Sequence, residues 1–159
     1  MYPVFNERGI NMLQELGLSA VDLSKYIVTK CAVDDCPISN LQLQKILYYI
    51  QKYFLKHDSI AFYDDIEAWQ FGPVVPSSYY RFCGFGAMPI DLMYFNLGSI
   101  SCPESKRAVD DIILDKRNLN PWILVQETHK PGGAWDKTYD SGKGNHKVIS
   151  KQLIREENE

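Results

Sequence analysis

What this sequence lacks narrows its function before any motif is read. It has no long apolar run, whereas a helical membrane span needs about 20 consecutive apolar residues. It also lacks a basic excess. The formal net charge is −3, with six basic against nine acidic groups in residues 1–80 and eleven of each in residues 81–159. A broad electrostatic footprint for nucleic acid is missing, so nucleic acid is not an expected partner. Lys130, Lys137, Lys143, Lys147 and Lys151 cluster near one end, and solvated loop and helix charges account for them. Four cysteines in 159 residues do not make a disulfide-dense scaffold. Cys31 and Cys36 have no second Cys/His pair at zinc spacing. Asp34-Asp35 and Asp64-Asp65 lack the calcium-loop pattern, and Cys83-Gly84-Phe85-Gly86 lacks the lysine and hydroxyl residue of a phosphate loop. No metal and no cofactor are expected. The first residues show no basic start leading into an apolar run, so no secretory leader is read and the reducing cytoplasm is the expected compartment.

Aromatic residues are abundant instead: ten Tyr, seven Phe and three Trp, in a chain that is 45% hydrophobic. Tyr and Trp join a large apolar body to a polar tip, which suits a core, an interface or both. The length fits one domain with a substantial core. Residues 1–18 read as a lead-in broken by Gly9 and Gly17, with a short helix at 10–16, and residues 19–157 as a single domain.

Periodicity gives the elements. Ser19 with Asp22 starts a helix carrying Leu23, Tyr26 and Ile27, which ends at Asp34-Asp35 and Pro37. Ser39 with Gln42 is a capping box. Leu43, Ile46, Leu47, Ile50 and Phe54 then form one apolar stripe, with Lys45, Lys52 and Lys56 mostly off it, so this is the central core helix. Ile66 to Phe71 reads as a short extended segment, and Gly72-Pro73 as the point where the chain turns. Pro76 opens a helix with Tyr79, Tyr80 and Phe82, ended by Gly84 and Gly86. Further helices are expected at 106–115, from Asn120-Pro121 onward, and at about 146–157, with residues 130–145 a loop. The fold class is mainly α, a compact single-domain helical fold with room for one short β-hairpin.

Three motifs exceed ordinary core patterning: Leu43-Gln44-Lys45-Ile46-Leu47-Tyr48-Tyr49, Ala68-Trp69-Gln70-Phe71-Gly72-Pro73-Val74, and Thr128-His129 with Trp135. In this order they resemble the SocA/Panacea antitoxin domain, also known as the GepA-type phage-associated domain, over about Leu23 to Ile154. Ile46 stands where that family usually has Leu. Ala134 stands where proline usually precedes the tryptophan, with Gly132-Gly133 before it. The resemblance implies a bacterial, phage or mobile-element protein that binds and neutralises a cognate toxin, encoded by a neighbouring gene. It marks Lys45, Tyr48, Gly72 and Val74 as structural motif positions.

The residues themselves nominate a partner-binding set of Trp69, Phe71, Pro73, Tyr79, Tyr80, Arg81, His129 and Trp135, since interface hot spots favour Trp, Tyr and Arg. A core role for Trp69 is the simpler alternative. His129 with Glu127 or Asp136, and Cys83 as nucleophile, would make a small enzyme. Nothing local orients that histidine, so no enzyme is expected. Capping the helix that ends at His129, favourable for a positive imidazole, is the plainer role. An adaptor delivering a bound protein to an AAA+ protease, or a phage or mobile-element regulator acting through protein contacts, is the alternative to an antitoxin.

Overall fold

Serine caps set the two helices on which the molecule is built. The computed structural model describes residues 13–158. Helix α1 (Ala20–Val33) begins where Ser19 Oγ accepts the backbone N–H of Asp22, and α2 (Asn40–Lys56) begins at the expected capping box of Ser39 and Gln42. Each cap satisfies backbone donors that a helix start leaves without partners. All five residues of the α2 stripe are fully buried. Burying an aliphatic or Phe side chain contributes roughly 1.5–3 kcal/mol, so this stripe is the main apolar anchor. Lys45, Tyr48 and Lys52, off the stripe, are buried as well. Hence α2 has neighbours on all sides.

Those neighbours follow in order. A hairpin comes first: β1 (Glu67–Trp69) runs antiparallel to β2 (Gly72–Val74), pairing Glu67 with Val74, Ala68 with Pro73 and Trp69 with Gly72. Next are α3 (Pro76–Phe82), α4 (Pro103–Lys116), α5 (Pro121–Thr128), α6 (Ala134–Tyr139) and α7 (Lys151–Glu156), with single 3-10 turns at Cys83–Phe85 and Asp140–Gly142. Helix α2 packs against α1, α3, α4, α5, α7 and β2. The mainly α fold with one hairpin agrees with the sequence reading.

Both flanks of the hairpin are occupied. On one side residues 146–149 run beside β1, where Ala68 N donates to Lys147 O (2.8 Å), His146 N to Ala68 O (2.7 Å) and Ile149 N to Ile66 O (2.8 Å). On the other side α2 supplies side chains. Gln44 Oε1 accepts Val75 N (3.0 Å), and Lys45 Nζ donates to Pro73 O (3.0 Å). Partners of this kind keep a short edge from pairing indiscriminately.

Several expected boundaries shift. The chain turns at Gln70-Phe71, between the strands, while Gly72-Pro73 already belongs to β2. Residues 130–145 are not all loop, since α6 forms there. Its first donor, Ala134 N, is bound by Glu157 Oε1 (2.9 Å), a partner 23 residues away that local patterning does not reveal. Helix α7 starts later than expected, at Lys151, capped by Ser150. Helix α4 starts earlier, with Pro103 in its first turn. Leu13 to Leu16 are irregular, and the rest of the helix expected at 10–16 lies outside the described residues.

Candidate functional site

The three sequence motifs meet around the hairpin. At the back lies Lys45, fully buried, its ammonium on Pro73 O. Burial pushes its pKa down to about 7. Gly72 makes this approach possible. With φ at 114°, it adopts a backbone conformation that L side chains rarely take, and an added Cβ would lie 2.9 Å from Lys45 Cε and 3.0 Å from Thr128 Oγ1. Glycine is therefore required both by backbone conformation and by space.

Thr128 and His129 close the site from α5. The Thr128 hydroxyl donates back to the carbonyls of Leu124 and Val125 (3.1 and 3.0 Å). His129 is the C-cap of α5, as expected, but a positive imidazole is not favoured. Burial lowers its pKa first and the Lys45 charge lowers it further, while the Phe71 backbone and Asp136 act in the opposite direction. The helix-end attraction is outweighed by desolvation and by a like charge. His129 Nε2 is buried without a hydrogen-bond partner. The imidazole stacks on Trp135 (3.6 Å between centroids, 6° between planes), and Trp135 stacks on Tyr139 (4.6 Å). Trp135 Nε1 donates to Trp69 O (2.8 Å), tying α6 to the hairpin.

In front of this framework is an aromatic face. Trp69, half-buried, lies flat on His146 (4.4 Å, 3°) and meets Tyr79 edge-on at 4.8 Å, with Tyr80 at 6.0 Å. Its indole N–H donates to Glu67 (2.9 Å). At the hairpin tip Phe71 packs edge-on against Trp122 of α5 (5.5 Å). Phe71, Tyr80 and Trp122 are 48, 62 and 55% exposed, and Arg81, next to Tyr80 in sequence, is exposed as well. Aromatic pairs at such separations add roughly 0.5–1.5 kcal/mol beyond area burial.

The nominated residues therefore fall into two layers. Phe71, Tyr80 and Arg81 are exposed, and Trp69, Tyr79 and His129 are half-buried. Pro73 and Trp135, expected on the contact surface, are buried behind it, as are Lys45, Tyr48, Gly72 and Val74. Sequence reasoning missed Trp122, His146 and Tyr139. Trp122, a large aromatic in the first turn of α5, carried a readable signal. The other two carried none, because long-range packing alone brings them to the tryptophans.

The groups considered for catalysis are committed elsewhere. Glu127 accepts from Tyr49 OH (2.6 Å) and Lys116 (3.3 Å), and Asp136 accepts from Gly132 N (2.9 Å). Cys83 points its thiol at Tyr80 O (3.4 Å). Among the described residues no group of three or more His, Cys, Asp or Glu is placed to hold a metal ion, and no helix is long and apolar enough to cross a membrane. The arrangement leaves aromatic side chains exposed above a buried, hydrogen-bonded framework.

Comparison with known proteins agrees with the convergence of these motifs. A family model described as antitoxin SocA-like, Panacea domain, matches residues 43–136, from the start of the α2 stripe to the residue after Trp135. Antitoxin SocA of Caulobacter vibrioides (strain NA1000 / CB15N) is 30% identical over 125 residues, which is 72% of this chain and 66% of that protein. The match thus spans just under two thirds of that relative's length. No solved structure matches the chain.

Proposed function

We propose that this chain, which belongs to the antitoxin SocA-like, Panacea domain family, neutralises a cognate protein toxin by forming a direct complex with it. The observation that carries this reading is the exposure of the aromatic side chains Phe71, Tyr80 and Trp122 on elements held by buried motif residues. Binding hot spots are aromatic or Arg anchors on well-packed supports, and rigid anchors lose little entropy on association. Trp69, Tyr79 and Arg81 complete the contact. Pro73, Trp135, Lys45 and Gly72 act through position, holding the hairpin in place. The toxin is a protein encoded by a neighbouring gene, residues 19–157 act as one binding domain, and the complex blocks the toxin's working surface in the cytoplasm. The chain acts by binding, not by catalysis.

One observation favours a second reading, that of an adaptor to an AAA+ protease. Such a protein needs two surfaces, and a second apolar stretch exists. In the loop between α3 and α4, Met88, Met93 and Phe95 are exposed, Phe95 at 89%. Contiguous exposed apolar side chains commonly mark interaction sites.

Co-expression tests the first reading. The adjacent gene product is induced alone, then with this chain or its Tyr80→Ala variant. Growth arrest relieved by the wild type, with a co-purifying complex, and not relieved by the variant is the expected result. A harmless neighbour and no complex would remove the antitoxin reading. Toxin half-life with and without the protease then separates neutralisation from delivery.

A further inference from the structure

We propose that the cleft bounded by α2, α4, α5 and the residues after α7 binds a small phosphorylated ligand of nucleotide size. The cleft encloses about 570 Å³ and has Tyr48, Tyr49, Lys52, Tyr53, Lys56, Lys116 and Lys130 in its walls. That volume lies within the roughly 300–1,000 Å³ of small-molecule sites, where aromatic walls with a few placed charges are the usual lining. It is separate from the aromatic face proposed to meet the toxin.

The charges form two groups. In one, Lys116 is matched by Glu127 (3.3 Å) and Asp115 (3.7 Å), and its ammonium lies 4.2 Å from the centroid of the Tyr49 ring. This part of the cleft is compensated and aromatic. In the other, Lys52 and Lys56, one turn apart on α2, converge with Lys130. Lys52 is paired with the buried Glu157 carboxylate (2.8 Å), which also accepts from Tyr48 OH (3.1 Å). Lys56 donates to Arg155 O (3.0 Å). Lys52 (3.3 Å) and Lys130 both donate to one main-chain oxygen, Asn158 O. Burial lowers the pKa of Lys130, and the Lys52 charge lowers it further.

Among the described residues, then, Glu157 pairs with Lys52, while Lys56 and Lys130 donate to main-chain oxygens. Like charges gathered in one cleft repel one another, and an anion bound among them relieves that repulsion. The Asn158 carbonyl brings two of them to a single neutral oxygen. A phosphoryl oxygen that displaced this carbonyl would take the same two donors with full charge assistance, and lysine suits phosphate as a point charge on a flexible stem. The flat remainder of the ligand would lie against Tyr49 and Tyr53.

Calorimetric titration of the full chain with ADP and with inorganic pyrophosphate tests the site. ADP is expected to bind saturably and to raise the unfolding temperature, as a ligand of the folded state must. Lys130→Gln is expected to weaken ADP by about ten-fold, the loss of one charge-assisted hydrogen bond. Lys56→Gln, which removes a more exposed lysine and spares the Glu157 pair, is expected to do likewise with the fold intact. Lys137→Gln, outside the cleft, should change nothing. Pyrophosphate is expected to bind more weakly than ADP, and equal affinities would overturn the role of the tyrosine walls. No saturable binding of either probe, or binding that Lys130→Gln and Lys56→Gln leave unaltered, would overturn the site.

Discussion

At Lys45 a cation sits where solvent does not reach, and its consequences are measurable. Burial depresses its pKa from 10.5 to about 7. Below about pH 7 both folded and unfolded chains carry the proton, and the folded state bears the full cost of the buried charge. Between about 7 and 10.5 the unfolded chain keeps the proton and the folded chain sheds it, so stability rises with pH across that window. Lys45→Met removes the titration. Denaturant unfolding from pH 7 to 9 should show the wild type gaining on this variant by up to about 1.4 kcal/mol per pH unit. A constant gap would mean that Lys45 does not titrate there. His129, also depressed by burial, acts with the same sign at lower pH, because charging it costs the folded state. Gly72 is the second residue-scale test. Gly72→Ala must bear a positive φ and press on Lys45 and Thr128, so a loss of about 2 kcal/mol or more is expected in the same unfolding assay.

At the scale of elements, caps separate what local sequence decides from what packing decides. The Ser39–Gln42 box of α2 was legible because both halves lie within one turn. Ser39→Ala should cost about 1 kcal/mol, read as a lower midpoint in urea with an unchanged slope. The α2 stripe, the Asn120-Pro121 start of α5 and the Pro76 start of α3 were legible for the same reason: each signal is local. The hairpin was half legible. An extended segment and a special glycine stood in the sequence, but Gly72-Pro73 read as a turn because proline biases the residue before it away from the helical region. Here the positive φ serves close approach by Lys45 instead. Helix α6 was not legible, since its start depends on Glu157. Glu157→Gln should therefore loosen α6 together with the Lys52 pair. Hydrogen exchange at Lys137 and Thr138 of α6 should rise well before that in α2, and uniform protection would deny the link.

For the molecule as a whole, the question is which exposed apolar surface would serve the proposed toxin binding. The sequence nominated Phe71, Tyr80 and Arg81 but could not sort them from Pro73 and Trp135, because layer order at the hairpin arises from α5, α6 and residues 146–149 folding over it. Among the described residues, exposed apolar side chains include those at the hairpin tip and those on the loop carrying Met88, Met93 and Phe95. Their predicted responses differ. Tyr80→Ala and Phe71→Ala remove exposed rings, so unfolding temperatures should stay close to wild type. Each should weaken toxin binding by about 2 kcal/mol, roughly thirty-fold, and abolish rescue at matched expression. Trp69→Ala should lose binding and stability together, because it removes the ring stacked on His146 and packed edge-on against Tyr79. Phe95→Ser should leave binding and rescue intact if neutralisation is by occlusion. If rescue proceeds through a protease, it should keep toxin binding yet leave the toxin long-lived. Loss of toxin binding in Phe95→Ser with retention in Tyr80→Ala would move the interface from the hairpin to the loop, since neither substitution touches the core.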